Sequence, residues 1–203
     1  IVRVKPDHTH EGKHAPSSEY PFHRSIYERR PDLRAIAHAH PPALVSFSLV
    51  GKIPDTKIIP QAYHVCGPVG FSPYAPPGSW QLGKNIAATF EEGFNAVLLE
   101  NHGVVTGGAT LLEAFQRFET LDFCARTIIQ ASGLGTVQSL SEEQIALFYQ
   151  RDNRWPEFTP EMHSSREREL RQQIVQMVHR AYDHRLMTST EGTMSARVSE
   201  ASF

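Results

Sequence analysis

The chain has 203 residues, 40% hydrophobic and 21% charged, which is enough apolar material for a core and fits one domain or one domain plus a fragment. A formal net charge of −2 offers no electrostatic case for nucleic acid or for an anionic membrane. The sequence has no apolar leader and no apolar run of about 18 residues, and its two cysteines form at most one disulfide, so a cytoplasmic location is expected.

Residues 1–5 alternate apolar and basic side chains and predict a short strand. Residues 7–16 are polar and predict a loop, in which His8, His10 and His14 make at most a weak surface metal site. Ser18 predicts the N-cap of a helix running to about Arg30, with Tyr20, Phe22, Ile26 and Tyr27 as its apolar contacts and Pro31 as its end. A strand through His38 and His40 follows, then a helix opened by Pro41 and Pro42 and ending near Ser48. Residues 53–65 predict one or two short strands interrupted by Pro54 and Pro60, and residues 66–70 a turn. Ser79 caps a helix to Glu92, with Trp80, Leu82, Ile86 and Phe90 facing inward and Gly93 as its stop.

Residues 95–100 form a continuous apolar strand, and residues 103–106 its antiparallel partner across a turn at His102. Thr110 caps a long helix to about Ser132, with Leu112, Phe115, Phe118 or Glu119, Phe123 and Arg126 on successive turns. Ser141 and Gln144 have the spacing of a capping box. Residues 151–164 are polar and aperiodic and read as a linker. Beyond them, Leu170, Ile174, Met177, Val178, Ala181 and Tyr182 form a helical stripe, and residues 188–198 predict a polar turn entering a strand.

Chemistry concentrates around His38 and His40. On an extended strand the two share a parity, so both imidazoles leave one face, where they can grip one cation. Alone, a His-x-His pair is more often two ordinary histidines. Glu19 at a helix start and His102 on a turn just past a strand end are two further side chains whose placement favours the metal reading.

Pro16, Ser17, Ser18 and Glu19, then His23, then the run from Arg30 through His38 and His40 to Pro41, then Glu100, Asn101, His102 and Gly103, resemble the class II aldolase/adducin family. The resemblance implies an α/β fold in α-β-α layers, a central mostly antiparallel sheet flanked by helices. It implies Zn²⁺, or another divalent metal, on Glu19, His38, His40 and His102, with Glu19 also the proton shuttle. It implies Tyr63 or Tyr74 as the acid toward a leaving aldehyde, and Ser17 and Ser18 on the substrate phosphate. The corresponding activity is that of a lyase cleaving a C–C bond of a small hydroxy-ketone sugar or sugar phosphate through a metal-stabilised enediolate. A related decarboxylase or dehydratase, or a non-catalytic adducin-like interaction protein, are the alternatives. Members of the sugar-phosphate 4-epimerase branch carry Asp where this chain has Glu19. A homotetramer is the assembly the resemblance implies, with neither nucleic acid nor membrane as partner.

The segments occur in an unusual order. In the family, a helix followed by a glycine turn opens the domain; here the similar piece, with Gly192, Thr193 and Ser195, comes last. Residues 1–150 are therefore expected to form an aldolase-like domain without its usual opening segment. Residues 165–203 are expected to begin a second repeat or to be that opening segment displaced. Thr193 replaces the family's phosphate-side Asn, keeping a hydroxyl but losing the amide.

Overall fold

The computed structural model describes residues 1–151, 157 and 164–200. The chain divides into two compact units, Ile1–Ser139 and Leu140–Phe203. The expected 151–164 linker, apart from Arg151, Glu157 and Ser164, lies outside the described residues. Among the described residues no helix is long and apolar enough to cross a membrane.

The first unit runs β1 (Arg3–Val4), β2 (His10–Glu11), α1 (Tyr20–Arg29), β3 (Ala35–Ala39), α2 (Pro42–Leu49), a 3-10 turn (Thr56–Ile58), α3 (Pro60–Cys66), β4 (Gly70–Ser72), α4 (Trp80–Glu91), β5 (Ala96–Leu99), β6 (Val104–Gly108) and α5 (Leu111–Ser132). β1 and β2 form a small antiparallel hairpin. The main sheet has the order β3-β6-β5-β4, antiparallel except for the β4–β5 pair.

Alternation along the strands builds the layers. Val97, Leu99 and Val105 point to one face and pack with Phe22 and Ile26 of α1 and Leu82, Ile86 and Phe90 of α4. Ala96, Leu98 and Val104 point to the other and pack with Leu44 of α2, Cys66 of α3, and Leu121 and Ala125 of α5. Because helices cover both faces, β5 is apolar at every position instead of every second one. This is the α-β-α sandwich with a mostly antiparallel sheet that was expected.

Several local expectations are corrected. Residues 53–65 are helical, not extended: Asp55 caps the 3-10 turn through the Lys57 N–H, and Pro60 sits in the first turn of α3, where its missing donor costs nothing. β2 is a strand where a loop was expected, and β4 begins at Gly70, the last residue of the expected turn; each is too short to show a period. Glu19, not Ser18, is the N-cap of α1. Trp80, Leu112 and Phe115 are exposed, and α5 buries Ala114, Leu121 and Ala125 instead, since small side chains let it lie close on the sheet.

Arg30 ties the end of α1 to the end of α4. Its guanidinium holds Asp32 in two bonds and donates to Phe90 O, Phe94 O and Asn95 Oδ1. Arg30→Met strips helix-end carbonyls of their donor, so urea denaturation is expected to show a loss of about 2–3 kcal/mol with an unchanged m-value.

The second unit contains α6 (Glu142–Tyr149) and α7 (Ser165–Asp183). α6 opens on the predicted capping box of Ser141 and Gln144. Of the predicted α7 stripe, Leu170 and Ala181 are buried, while Met177 and Tyr182 are exposed. The strand expected within residues 188–198 is absent; this polar stretch forms turns around Gly192, whose φ is 111°.

Candidate metal centre

Strand parity places the first two candidate ligands. Ile36 packs toward α1 and α4, so His38 and His40, two and four residues on, leave the sheet on that same face. His38 Nδ1 is 2.9 Å from Val104 O on the neighbouring strand, so Nδ1–H donates there and the lone pair is left on Nε2. That Nε2 is buried without a partner. Phe22 walls the ring edge-on at 5.0 Å. Burial pushes the His38 imidazole down to about 4; the Val104 bond pulls upward, while His40, His102 and His23 push the same way as burial. His38 is thus a neutral imidazole with an aimed lone pair, the form a metal ligand takes.

His102 arrives from the hairpin between β5 and β6. Its N–H donates to Leu99 O, Leu99 N–H donates to Gly103 O, and Asn101 takes the left-handed φ of 54° that the turn needs. Gly103 is required for steric reasons: a Cβ there would stand 2.6 Å from Ala39 O and 2.7 Å from His40 Cδ2. The missing side chain lets the hairpin turn lie against the end of β3. As a result His102 stacks on His40 at 4.9 Å between ring centroids, and His38 lies 4.7 Å from His40 and 5.2 Å from His102. One ligand nitrogen from each of the three falls within 4.8 Å of the other two. Two ligands on one tetrahedral zinc stand roughly 3.4 Å apart for bonds of about 2.05 Å, so shifts of about an ångström would complete the set.

Glu19 supplies the carboxylate. As the N-cap of α1 it makes no side-chain cap bond, so its oxygens are free of the helix. Oε1 lies 3.9 Å from His102 Nε2, and Oε2 is buried without a partner, as is His102 Nδ1. Burial holds the His102 imidazole below its ordinary range; Glu19 opposes this and His40 adds to it. Glu19 Oε2, His38 Nε2 and His102 Nδ1 are thus buried polar atoms with no partner, and such atoms call for a ligand. Three imidazoles and a carboxylate fit a divalent cation of the zinc type.

The remaining predicted residues divide. Ser17 Oγ accepts the Glu19 N–H at 3.2 Å, and the Gly78 turn before α4 presses on Ser18, whose carbonyl would lie 3.0 Å from a Cβ at Gly78. Tyr63 lies on α3 with Lys57 Nζ 5.5 Å from its ring centroid, and Tyr74 is exposed. Neither tyrosine is joined to the histidine cluster by a hydrogen bond or ring contact. Glu100 accepts the Tyr74 N–H at 2.8 Å. Gly192, Thr193 and Ser195 belong to the second unit, where Thr193 and Ser195 are exposed.

Sequence reasoning gave His23 no role, although it follows Glu19 by four positions and so shares its helix face. Its ring stacks on Phe22 at 4.5 Å, and burial lowers its pKa. The Val104 carbonyl that sets the His38 tautomer carries no signal in the sequence, because any residue has one.

Comparison with known proteins agrees with this geometry. The Class II Aldolase and Adducin N-terminal domain family matches residues 1–129. A 5-deoxy-D-ribulose 1-phosphate aldolase of Bacillus thuringiensis serovar kurstaki is 32% identical over 139 residues, covering 66% of this chain and 62% of that protein. A 3-oxo-tetronate 4-phosphate decarboxylase of Pectobacterium atrosepticum is 37% identical over 117 residues, 56% of this chain and 53% of that protein. A solved L-fuculose 1-phosphate aldolase superposes with a TM-score of 0.63 at 32% identity, covering 72% of this chain and 68% of that one. The chain therefore spans less than two thirds of the length of these two curated relatives. With the motifs, the sheet order and the family match in agreement, the chain belongs to the class II aldolase and adducin family.

Proposed function

We propose that the chain is a divalent-metal-dependent lyase that breaks a carbon–carbon bond of a small hydroxy-ketone sugar, most naturally a phosphorylated one. The observation that carries this reading is the convergence of His38, His40 and His102 beside Glu19, with buried polar atoms left unpartnered. His38, His40 and His102 would hold the ion, zinc by the nature of the donors, with Glu19 as fourth ligand. A divalent ion bound there supplies Lewis-acid stabilisation of negative charge developing on a substrate oxygen.

The chain's own residues do the rest. The Val104 carbonyl fixes the His38 ring so that Nε2 faces inward. Glu19, unbound to its helix, is the carboxylate that takes and returns a proton. Ser17 Oγ uses a lone pair on the Glu19 N–H, which leaves its own O–H to donate to an anion at the start of α1, with Ser18 beside it. Of the two tyrosines, Tyr74 is better placed as acid: its N–H is bound to Glu100, two residues before His102, whereas Tyr63 sits on α3. Gly192, Thr193 and Ser195 belong in this proposal to the opening of a second repeat spanning 165–203. A cytoplasmic homotetramer completes it, and Leu111, Leu112 and Phe115 are exposed apolar residues at the start of α5 from which an interface is built.

The 37% identity to a decarboxylase favours a second reading, in which the same centre stabilises charge left by departing CO₂. One experiment separates them. Protein loaded with zinc and dialysed is expected to carry about one ion per first unit. It is then offered a ketose 1-phosphate and, separately, a phosphorylated 3-oxo acid. Chelator-sensitive aldehyde release supports the lyase, CO₂ release alone the decarboxylase. Absence of bound metal after loading overturns both, and favours an adducin-like interaction role.

A further inference from the structure

The β1–β2 hairpin is held down at its tip by an interaction that no part of the metal centre uses. His8 stands at φ 68°, a left-handed conformation unusual for a residue with a side chain. Its ring meets Tyr20 at 6.2 Å and Trp80 at 6.0 Å between centroids, and Tyr20 meets Trp80 at 6.1 Å, all edge-on. Arg24 Nη1 lies 2.9 Å from His8 Nε2, 3.0 Å from Pro6 O and 3.2 Å from Tyr20 Oη, while Arg24 Nε is held by Glu28.

Arginine only donates, so His8 Nε2 must be the acceptor and the imidazole must be neutral. Its hydrogen is then on Nδ1, 3.4 Å from Tyr20 Oη. The network admits one protonation state. A second proton on Nε2 would remove the acceptor and set two cations face to face at this distance. The groups facing His8 are Arg24 and Tyr20 from α1 and Asp7 from the hairpin; α4 brings the uncharged Trp80 ring. Asp7 is engaged with Thr9 N–H and Oγ1, which shapes the turn.

His8's partners Tyr20 and Arg24 also line a groove. A cavity of about 540 Å³ lies between Val2, Val4 and Pro6 on the hairpin side and Ser17, Tyr20 and Tyr27 on the α1 side. We propose that His8 is a pH-operated latch: neutral, it clasps the hairpin to Arg24 and Tyr20 and keeps this groove walled; protonated, it releases the hairpin and opens the groove beside Ser17. Acidification, not a ligand, is the trigger, and the proposal stands independently of the metal reading.

The full-length chain carrying Trp155→Phe leaves Trp80 as sole indole, since the protein has two tryptophans. Its emission and the hydrogen exchange of residues 3–11, corrected for intrinsic rate, are followed from pH 8 to pH 5, the window in which histidine changes charge. Both are expected to change together, with hairpin protection falling about tenfold at the acid end, as for loss of the Arg24–His8 bond with two cations left facing each other. His8→Gln keeps an acceptor that cannot titrate in this range and is expected to flatten both curves. Arg24→Leu is expected to leave the hairpin unprotected at pH 8 as well. An unchanged hairpin between pH 8 and pH 5, or a transition that persists in His8→Gln, overturns the latch.

Discussion

Glu19→Gln is expected to keep the bound metal while turnover falls by about 10²–10⁴-fold, the range typical of removing a general acid–base group. The amide matches the carboxylate in shape and still offers an oxygen 3.9 Å from His102 Nε2. The three imidazoles, which would carry most of the grip, are untouched. What disappears is a group that can accept a proton. Stability should change little, since Glu19 caps no backbone group through its side chain and loses only an N-terminal charge worth about 0.3–1 kcal/mol. Metal content and kcat measured on one preparation decide the matter. Metal and turnover lost in equal proportion would make Glu19 a ligand only; undiminished turnover would remove it from the chemistry.

Gly103→Ala should damage the centre without touching a ligand. The added methyl meets Ala39 O at 2.6 Å and His40 Cδ2 at 2.7 Å, and the first of these is backbone in a paired strand end, which no rotamer can relieve. Overpacking of this kind costs about 1–3 kcal/mol. The turn must lift from β3, carrying His102 away from His40 and breaking their 4.9 Å stack. Zinc retention after dialysis is expected to fall together with the denaturation midpoint. A variant of normal stability that still holds its metal would show that the turn has slack, and that the close approach is incidental.

How much of this was legible in advance follows from the range of each interaction. The His38–His40 pairing could be read because strand alternation is a local rule that no distant residue alters. Ser79, Thr110 and Ser141 were likewise read as caps, and each accepts the N–H three positions on. Glu19 and His102 were legible only through family resemblance, since nothing in their own neighbourhoods points to each other. The need for glycine at 103 was not legible: it arises where a hairpin turn meets a strand end some sixty residues away in the chain. α3 was misread because Pro60, taken as an interruption, is an initiator. The inward face of α5 was not legible, because close packing on the sheet selected the small Ala114 and Ala125, which stand out in no apolar stripe.

The pairing of β3 with β6 has a further consequence. His38 lies opposite Val105 and reaches the carbonyl of Val104, so the same ladder that seals the core also aims the ligand. Inserting a single residue in β3 ahead of His38 would turn both imidazoles into the layer of α2 and α5. Inserting two would restore the side but slide His38 past its acceptor. The geometry therefore depends on the length of β3 as well as on its side chains, and β3 should accept no insertions or deletions in any variant that holds an ion.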